Sequence, residues 1–357
     1  MIKNYFHREN SSLIDKFLAL DFILIFLIIL LGLISFFAMY SSERGVFDYY
    51  TTSHVYRFFI FLALFFLISF ININLIFKST YIFYFVVLFL LVIVDLYGVS
   101  ASGSKRWIKI FFINLQPSEL MKVTLIMFLA RYYHKIPSKD VSNIKFMVVP
   151  IFALFIPVAL VVDQPDLGTA LLIALSGISV IWLTGFRLKY FMFSSAILFF
   201  SMPVVISILK PYQKSRILIF LNPERDPLGA GYQIIQSKIA IGSGGIFGKG
   251  YLNGSQSYLD YLPEKHTDFI FTLFSEEFGF MGSVGLLLVY ATILYRIISI
   301  GSECRNNFGK LFCYGFSVSF FIYVSVNMCM VLGLLPIVGA PLPIMSYGGS
   351  SMLSMML

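Results

Sequence analysis

Asp268 stands where a polar stretch, Leu262-Pro-Glu-Lys-His-Thr-Asp268, runs into an apolar segment that begins Phe-Ile-Phe271. A carboxylate at such a junction is partly stripped of water, which raises its pKa and makes it a better base. Capping the following helix is the competing use of the same residue, and position alone leaves both open. Glu264, Glu276 and Glu277 are near it in sequence, the last two placed two turns into the expected span. Acids within a membrane segment are costly and mark functional sites by default.

A second group is basic. Lys105, Arg106 and Lys109 fall in Ser104-Lys-Arg-Trp-Ile-Lys109, followed by Leu115-Gln-Pro-Ser-Glu-Leu-Met-Lys122. Cations clustered on a loop suit a diphosphate through charge-assisted hydrogen bonds. A belt of snorkelling Lys and Arg is the plainer alternative. Glu119 and Lys122, at i and i+3, can pair on one helix face, and Pro117 fits the first turn of that helix. In Asp163-Gln-Pro-Asp-Leu-Gly-Thr169 two carboxylates, Asp163 and Asp166, share a tight turn. They can hold a metal or cap the next helix, and capping is favoured. Pro and Gly interrupt the apolar stretch Pro341-Leu-Pro-Ile-Met-Ser-Tyr-Gly-Gly-Ser-Ser351. Irregular backbone of this kind is tolerated where it lines a cavity, and a re-entrant channel loop would look similar.

The elements that must position these residues are membrane helices. Of 357 residues, 59% are hydrophobic and 12% charged, with a mean hydropathy of +0.87. Soluble domains carry roughly 45–50% apolar and about 25% charged residues. Spans are expected at 22–40, 58–77, 81–97, 118–133, 146–162, 167–185, 190–209, 269–295 and 311–335. A tenth begins near Gly348 and reaches only Leu357, so it is expected to be cut short. The first run is too long for a signal-peptide core and lacks a cleavage site. The expected fold is an all-α integral membrane protein of about ten transmembrane helices, a single polytopic domain over residues 1–357. Within it, 210–268 forms a large extracytoplasmic loop between helices 7 and 8, where Ile234–Ile241 reads as a short amphipathic helix at the interface.

Lys and Arg set the orientation. Thirteen fall on one set of expected connections, and five (Arg44, Arg57, Lys105, Arg106, Lys109) on the short loops of the opposite set. This bias puts the N-terminus in the cytoplasm and the acids, the basic cluster and the Pro/Gly segment outside. The same bias accounts for a net charge of +8 without nucleic acid. Cys304, Cys313 and Cys329 lack metal-ligand spacing, and His7, His54, His134 and His266 are scattered, so no zinc site is expected.

Taken together and in this order, the motifs resemble the SEDS (shape, elongation, division and sporulation) family from Ser104 to Ser351. Asn222-Pro-Glu-Arg-Asp-Pro-Leu-Gly229, Gly231-Tyr-Gln233, Gln236-Ser-Lys-Ile-Ala-Ile-Gly-Ser-Gly-Gly245 and Gly248-Lys-Gly250 resemble its elongation branch rather than the division and sporulation branches. The resemblance implies a peptidoglycan glycosyltransferase that polymerises lipid II into glycan strands on the outer face of the bacterial cytoplasmic membrane. It places the essential carboxylate on Asp268, as base for an inverting attack with undecaprenyl diphosphate leaving. Substrate and diphosphate contacts are expected from Lys105, Arg106, Lys122, Glu119, Gln116, Ser346 and Tyr347. Asp163, Asp166, Glu264 and Glu277 are expected to shape the cavity or hold a metal. No tightly bound cofactor is expected; a divalent cation, Mg or Mn, is allowed as an aid to the leaving group. The implied partners are lipid II, the nascent strand, membrane lipid, a class B penicillin-binding protein transpeptidase and the elongation machinery.

Two other readings predict different things. A lipid-precursor flippase needs polar groups through the membrane depth, whereas the acids here gather at one end. A scaffold that only activates its partner predicts that loss of Asp268 leaves polymerisation intact.

Overall fold

A chain this apolar must satisfy its backbone groups within each segment, which favours helices. The computed structural model describes residues 13–101, 104–110, 113–137, 139–209, 211–227, 229–255, 262 and 264–357. Lys3 and Arg8 of the N-terminal tail, Lys210, Leu228 and Pro263 lie outside the described residues. The helices are α1 (Leu13–Leu18), α2 (Phe22–Ser42), α3 (Tyr49–Ser69), α4 (Ile73–Tyr97), α5 (Pro117–Tyr133), α6 (Ile144–Asp163) and α7 (Leu167–Leu183). They continue as α8 (Leu188–Ile208), α9 (Pro211–Leu221), α10 (Ala230–Gly244), α11 (Ile270–Glu303), α12 (Asn307–Val331) and α13 (Gly349–Met356).

Among the described residues, six helices are long and apolar enough to cross a membrane: α2, α3, α4, α6, α11 and α12. Two shorter apolar stretches, α7 and 188–201 of α8, accompany them. This standard asks for 18 residues or more, which leaves out α5 and α7 with 17 residues each and α13 with 8. The second and third spans also shift. The break expected near 78–80 lies instead at Phe70–Asn72, where the Asn72 side chain accepts from the Asn74 N–H at 2.9 Å and starts α4. The last long span ends at Val331, because Gly333 takes a φ of +68°.

Apolar side chains gather into two cores. One joins α2, α3, α11, α12 and the 340–356 segment; the other joins α4 to α7. Phe26, Phe59, Phe89, Phe152 and Leu288 remain more than half exposed, as befits lipid-facing residues. α2 and α11 run antiparallel and are pinned at both ends. Arg296 pairs with Asp21 at one end, and the Ser41 hydroxyl donates to Glu277 at the other. At 1.5 Å per residue these pins lie roughly 30 Å apart, close to a bilayer's hydrocarbon thickness. Glu276 and Glu277 lie about two turns into α11, as the sequence reading placed them, and Glu277 marks one end of this pinned length.

Among the described residues of 210–268, two stretches are α-helical, α9 and α10. α10 contains the expected Ile234–Ile241 helix but is longer, and it buries Ile234, Ser237, Ala240 and Gly244. Ser237 hydrogen-bonds Thr272 of α11 at 2.8 Å and the Val331 carbonyl at 2.7 Å. This face is packed on protein, not only laid on an interface.

Candidate active site

α11 starts at Ile270, and the position capping it is Phe269, with no side-chain cap bond. Asp268 is thus not the cap, which removes the plainer of its two uses. The residue is partly buried. Its carbonyl accepts from Asn327 Nδ2 at 2.9 Å, and the same amide donates to the Ala340 carbonyl at 2.7 Å. Gly339, at φ +71°, abuts Asp268 Oδ2: a Cβ there would stand 3.6 Å from it. Burial above all, then the nearby Glu264 carboxylate and, more weakly, Asp166, push Asp268 up to about 7, against the pull of Arg106 and Arg216. A carboxyl poised there is half ionised near neutrality and suits proton abstraction. Glu264 itself is exposed and accepts from Thr267 Oγ1 at 2.9 Å.

The basic cluster lies on a strand, not a loop. β1 (Val99–Ala101), β2 (Ser104–Ile110) and β3 (Ile113–Leu115) form an antiparallel sheet in that order. Successive strand residues point to opposite faces, so β2 sends Lys105 and Lys109 one way and Arg106 the other. Both lysines are exposed. Arg106 turns toward Asp166, its Nη1 3.5 Å from Oδ2. Gln116 Nε2 donates to the same oxygen at 3.2 Å, while Asp166 Oδ1 accepts from the Thr169 N–H at 3.2 Å and caps α7. The favoured capping use of this turn is therefore met by Asp166. Asp163 is exposed at the end of α6 and stands apart from these contacts.

Glu119 and Lys122 do pair, at 2.7 Å, and Pro117 opens α5. The pair is closed in: Lys122 is 1% exposed, its Nζ lies 3.6 Å from the Tyr323 ring centroid, and Tyr323 OH donates to Glu119 Oε1 at 2.9 Å. Lys122 is thus part of the framework under the site and not an open diphosphate contact, a correction to the sequence reading. Removing one partner of a buried pair costs about 3–5 kcal/mol. Lys122→Met is expected to lower stability by that amount and Glu119→Gln/Lys122→Met to recover much of it, as read by thermal unfolding of the purified protein; equal loss in both variants would show that the pair does not hold α5 to α12.

The Gly-rich motif also finds its purpose here. α11 is broken at Gly279 (φ +65°, ψ −160°). The carbonyls freed at Glu276 and Glu277 accept from the N–H groups of Lys249 and Gly250, each at 3.0 Å. The N–H groups freed at Phe280 and Met281 donate to Gly245 and Ile246 at 2.9 and 3.0 Å. Segment 245–250 is thus stitched into the gap. Lys249 Nζ also reaches Glu276 Oε1 at 2.6 Å, with Ser255 Oγ 3.0 Å from the same oxygen.

The 341–348 segment is fixed from several sides: Tyr290 OH donates to the Pro343 carbonyl at 2.8 Å, Ser35 Oγ to Met345 at 3.0 Å. Ser346, expected as a substrate contact, is buried and accepts from the Leu342 N–H at 2.7 Å. Tyr347 is half-buried beneath Arg57, whose guanidinium is 4.6 Å from its ring centroid. Of the residues expected to shape the cavity or hold a metal, Asp166 is taken up by three donors, Asp163 is exposed, Glu264 accepts from Thr267 and Glu277 is pinned to Ser41. Among the described residues no group of three His, Cys, Asp or Glu could hold a metal ion. Sequence reasoning missed Asn327, Arg216 and Tyr323. An Asn inside the apolar α12 was a visible signal; Arg216 had none beyond its charge.

The sequence profile of the FtsW/RodA/SpoVE cell cycle proteins matches residues 18–357. The chain is 41% identical over 276 residues to the peptidoglycan glycosyltransferase MrdB of Escherichia coli (strain K12), covering 76% of this chain and 74% of that protein. Against the probable peptidoglycan glycosyltransferase FtsW of Wigglesworthia glossinidia brevipalpis it is 37% identical over 364 residues, with 97% and 93% covered. It superposes with a TM-score of 0.82 on a chain solved for the structural coordination of polymerization and crosslinking by a peptidoglycan synthase complex, at 32% identity and 95% coverage of both. The rod shape determining protein RodA of Thermus thermophilus follows at a TM-score of 0.71 and 26% identity, over 95% of this chain and 94% of that one. With the profile spanning nearly the whole chain and these relatives covered over most of their length, the chain belongs to the SEDS family, the FtsW/RodA/SpoVE cell cycle proteins.

Proposed function

We propose that this chain is a peptidoglycan glycosyltransferase that polymerises lipid II during cell elongation, with Asp268 as its base. One observation carries the reading. A partly buried carboxylate, not used as a helix cap, is held on a loop fixed by Asn327, within electrostatic reach of Arg106 and Arg216. Asp268 takes the proton of the acceptor sugar hydroxyl. The oxygen forms its bond to the donor's anomeric carbon as the bond to the diphosphate breaks, through an oxocarbenium-like transition state. The diphosphate departs with its charge and needs cations more than a proton donor. Arg106 and Arg216 fill that role, with the exposed Lys105 as a further contact. No step is routed through a metal.

The Lys/Arg bias supports a cytoplasmic N-terminus with this site outside the cytoplasmic membrane. Likeness to a synthase complex chain supports a class B penicillin-binding protein as partner. The test is lipid II polymerisation by the purified protein with that partner across pH. Asp268 must be ionised to act, so kcat/KM is expected to rise with pH through about 7. Glu264→Gln removes the charge that, after burial, most raises Asp268, and should move this limb to lower pH. A limb unmoved by Glu264→Gln, or centred near 4, would assign the base elsewhere.

A further inference from the structure

His266 lies two residues before Asp268, and its contacts join elements far apart in the chain. Its Nδ1 is 2.8 Å from Ser42 Oγ at the end of α2. The Ser42 hydroxyl gives its one hydrogen to the Met39 carbonyl at 2.6 Å. Ser42 can then only accept from the ring, so Nδ1 carries the proton. The ring lies flat on Tyr50, with centroids 4.2 Å apart and planes inclined by 13°. Tyr50 is itself held in the first turn of α3, where the Glu43 carboxylate accepts from the N–H groups of Tyr50 and Thr51, both at 2.8 Å. Tyr347 meets the Tyr50 ring edge-on at 5.0 Å, and its N–H donates to the His266 carbonyl at 2.8 Å.

We propose that His266 is the positioning residue for Asp268, clamping the loop so that the carboxylate meets the acceptor hydroxyl in register; this rests on the reading of Asp268 as base. The loop is held on both sides of the carboxylate: by the His266 ring and carbonyl before it, and by Asn327 on the Asp268 carbonyl. Two residues span at most about 7 Å, so these clamps leave the carboxylate little play. A misplacement of about 1 Å at a reacting group costs on the order of a hundredfold in rate.

The test is steady-state lipid II polymerisation by the full chain with its transpeptidase partner, with kcat and KM determined separately. His266→Ala is expected to lower kcat by about 30- to 100-fold with KM within about twofold. His266→Asn returns an N–H donor near the Nδ1 position and should recover about tenfold of that loss. Ser42→Ala removes the acceptor without touching the loop, and should lower kcat several-fold even if His266→Ala folds poorly. In an Asp268→Asn background, His266→Ala should add nothing, since its effect runs through the carboxylate. A rise in KM at unchanged kcat, a wild-type kcat in both His266→Ala and Ser42→Ala, no rescue by Asn, or a further loss on top of Asp268→Asn would each overturn the proposal. Asp268→Asn as fast as wild type would sink the base assignment itself, an outcome separable from the others because it needs no His266 variant.

Discussion

Asp268→Asn is expected to reduce lipid II polymerisation by about a thousandfold while the protein stays folded and partner-bound. A positioned general base contributes about 10²–10⁴ in rate. The substitution keeps the shape of the side chain and removes only its basicity. Little structural cost should follow, since the contacts holding this residue run through its backbone carbonyl, bonded to Asn327, and not through the cap of α11. The charged carboxylate is moreover disfavoured by its burial, so a neutral amide is expected to be tolerated with the unfolding midpoint unchanged. The measurement is strand formation from purified lipid II alongside thermal unfolding and co-purification of the partner. Wild-type activity in a folded variant would return the chemistry to another group or to the partner.

The largest stability effect is expected at Gly248. Its φ of +82° is unfavourable to any residue with a Cβ, and a Cβ there would stand 2.0 Å from the Glu277 carbonyl oxygen and 2.4 Å from its carbon. Both atoms are backbone and cannot swing aside. Relief requires the 245–250 segment to leave the break in α11, stranding backbone groups in apolar surroundings at roughly 1–3 kcal/mol each. Gly248→Ala should therefore lose at least about 3 kcal/mol, or fail to accumulate as folded protein. Gly242→Ala is the matched control: it is inside α10, and its Cβ would meet nothing within 4 Å. There, alanine should hold or raise stability by up to about 1 kcal/mol. Equal unfolding midpoints for the two variants would show that the stitch does not support the broken helix.

These two residues also show how far sequence can be read. The long apolar runs, the i, i+3 pair at Glu119 and Lys122, and the helix-opening Pro117 were legible because each is a local pattern. The break at Gly279 was not, because one Gly between two Phe residues is tolerated in a helix. What makes it a break is Gly248, about thirty positions away. β2 is hidden for another reason: its alternation, with Arg106 opposite Lys105 and Lys109, is short and reads in sequence as a charge cluster. At the site, the type and place of Asp268 and Asp166 could be argued from sequence. Which groups enclose Lys122, or reach Asp268 from α12 and the 210–227 stretch, depends on how helices pack, and no spacing rule carries that.

The pins that join α2 to α11 bear on the membrane itself. Arg296–Asp21 and Ser41–Glu277 set a fixed height between two polar levels, and the break at Gly279 and the loop of Asp268 ride on the upper one. A lipid layer thicker than this height must thin locally or tilt the pair, at fractions of a kcal/mol per Å. Acyl-chain length thereby becomes a mechanical input to where the base stands relative to the headgroup plane, with the protein acting as its own depth gauge.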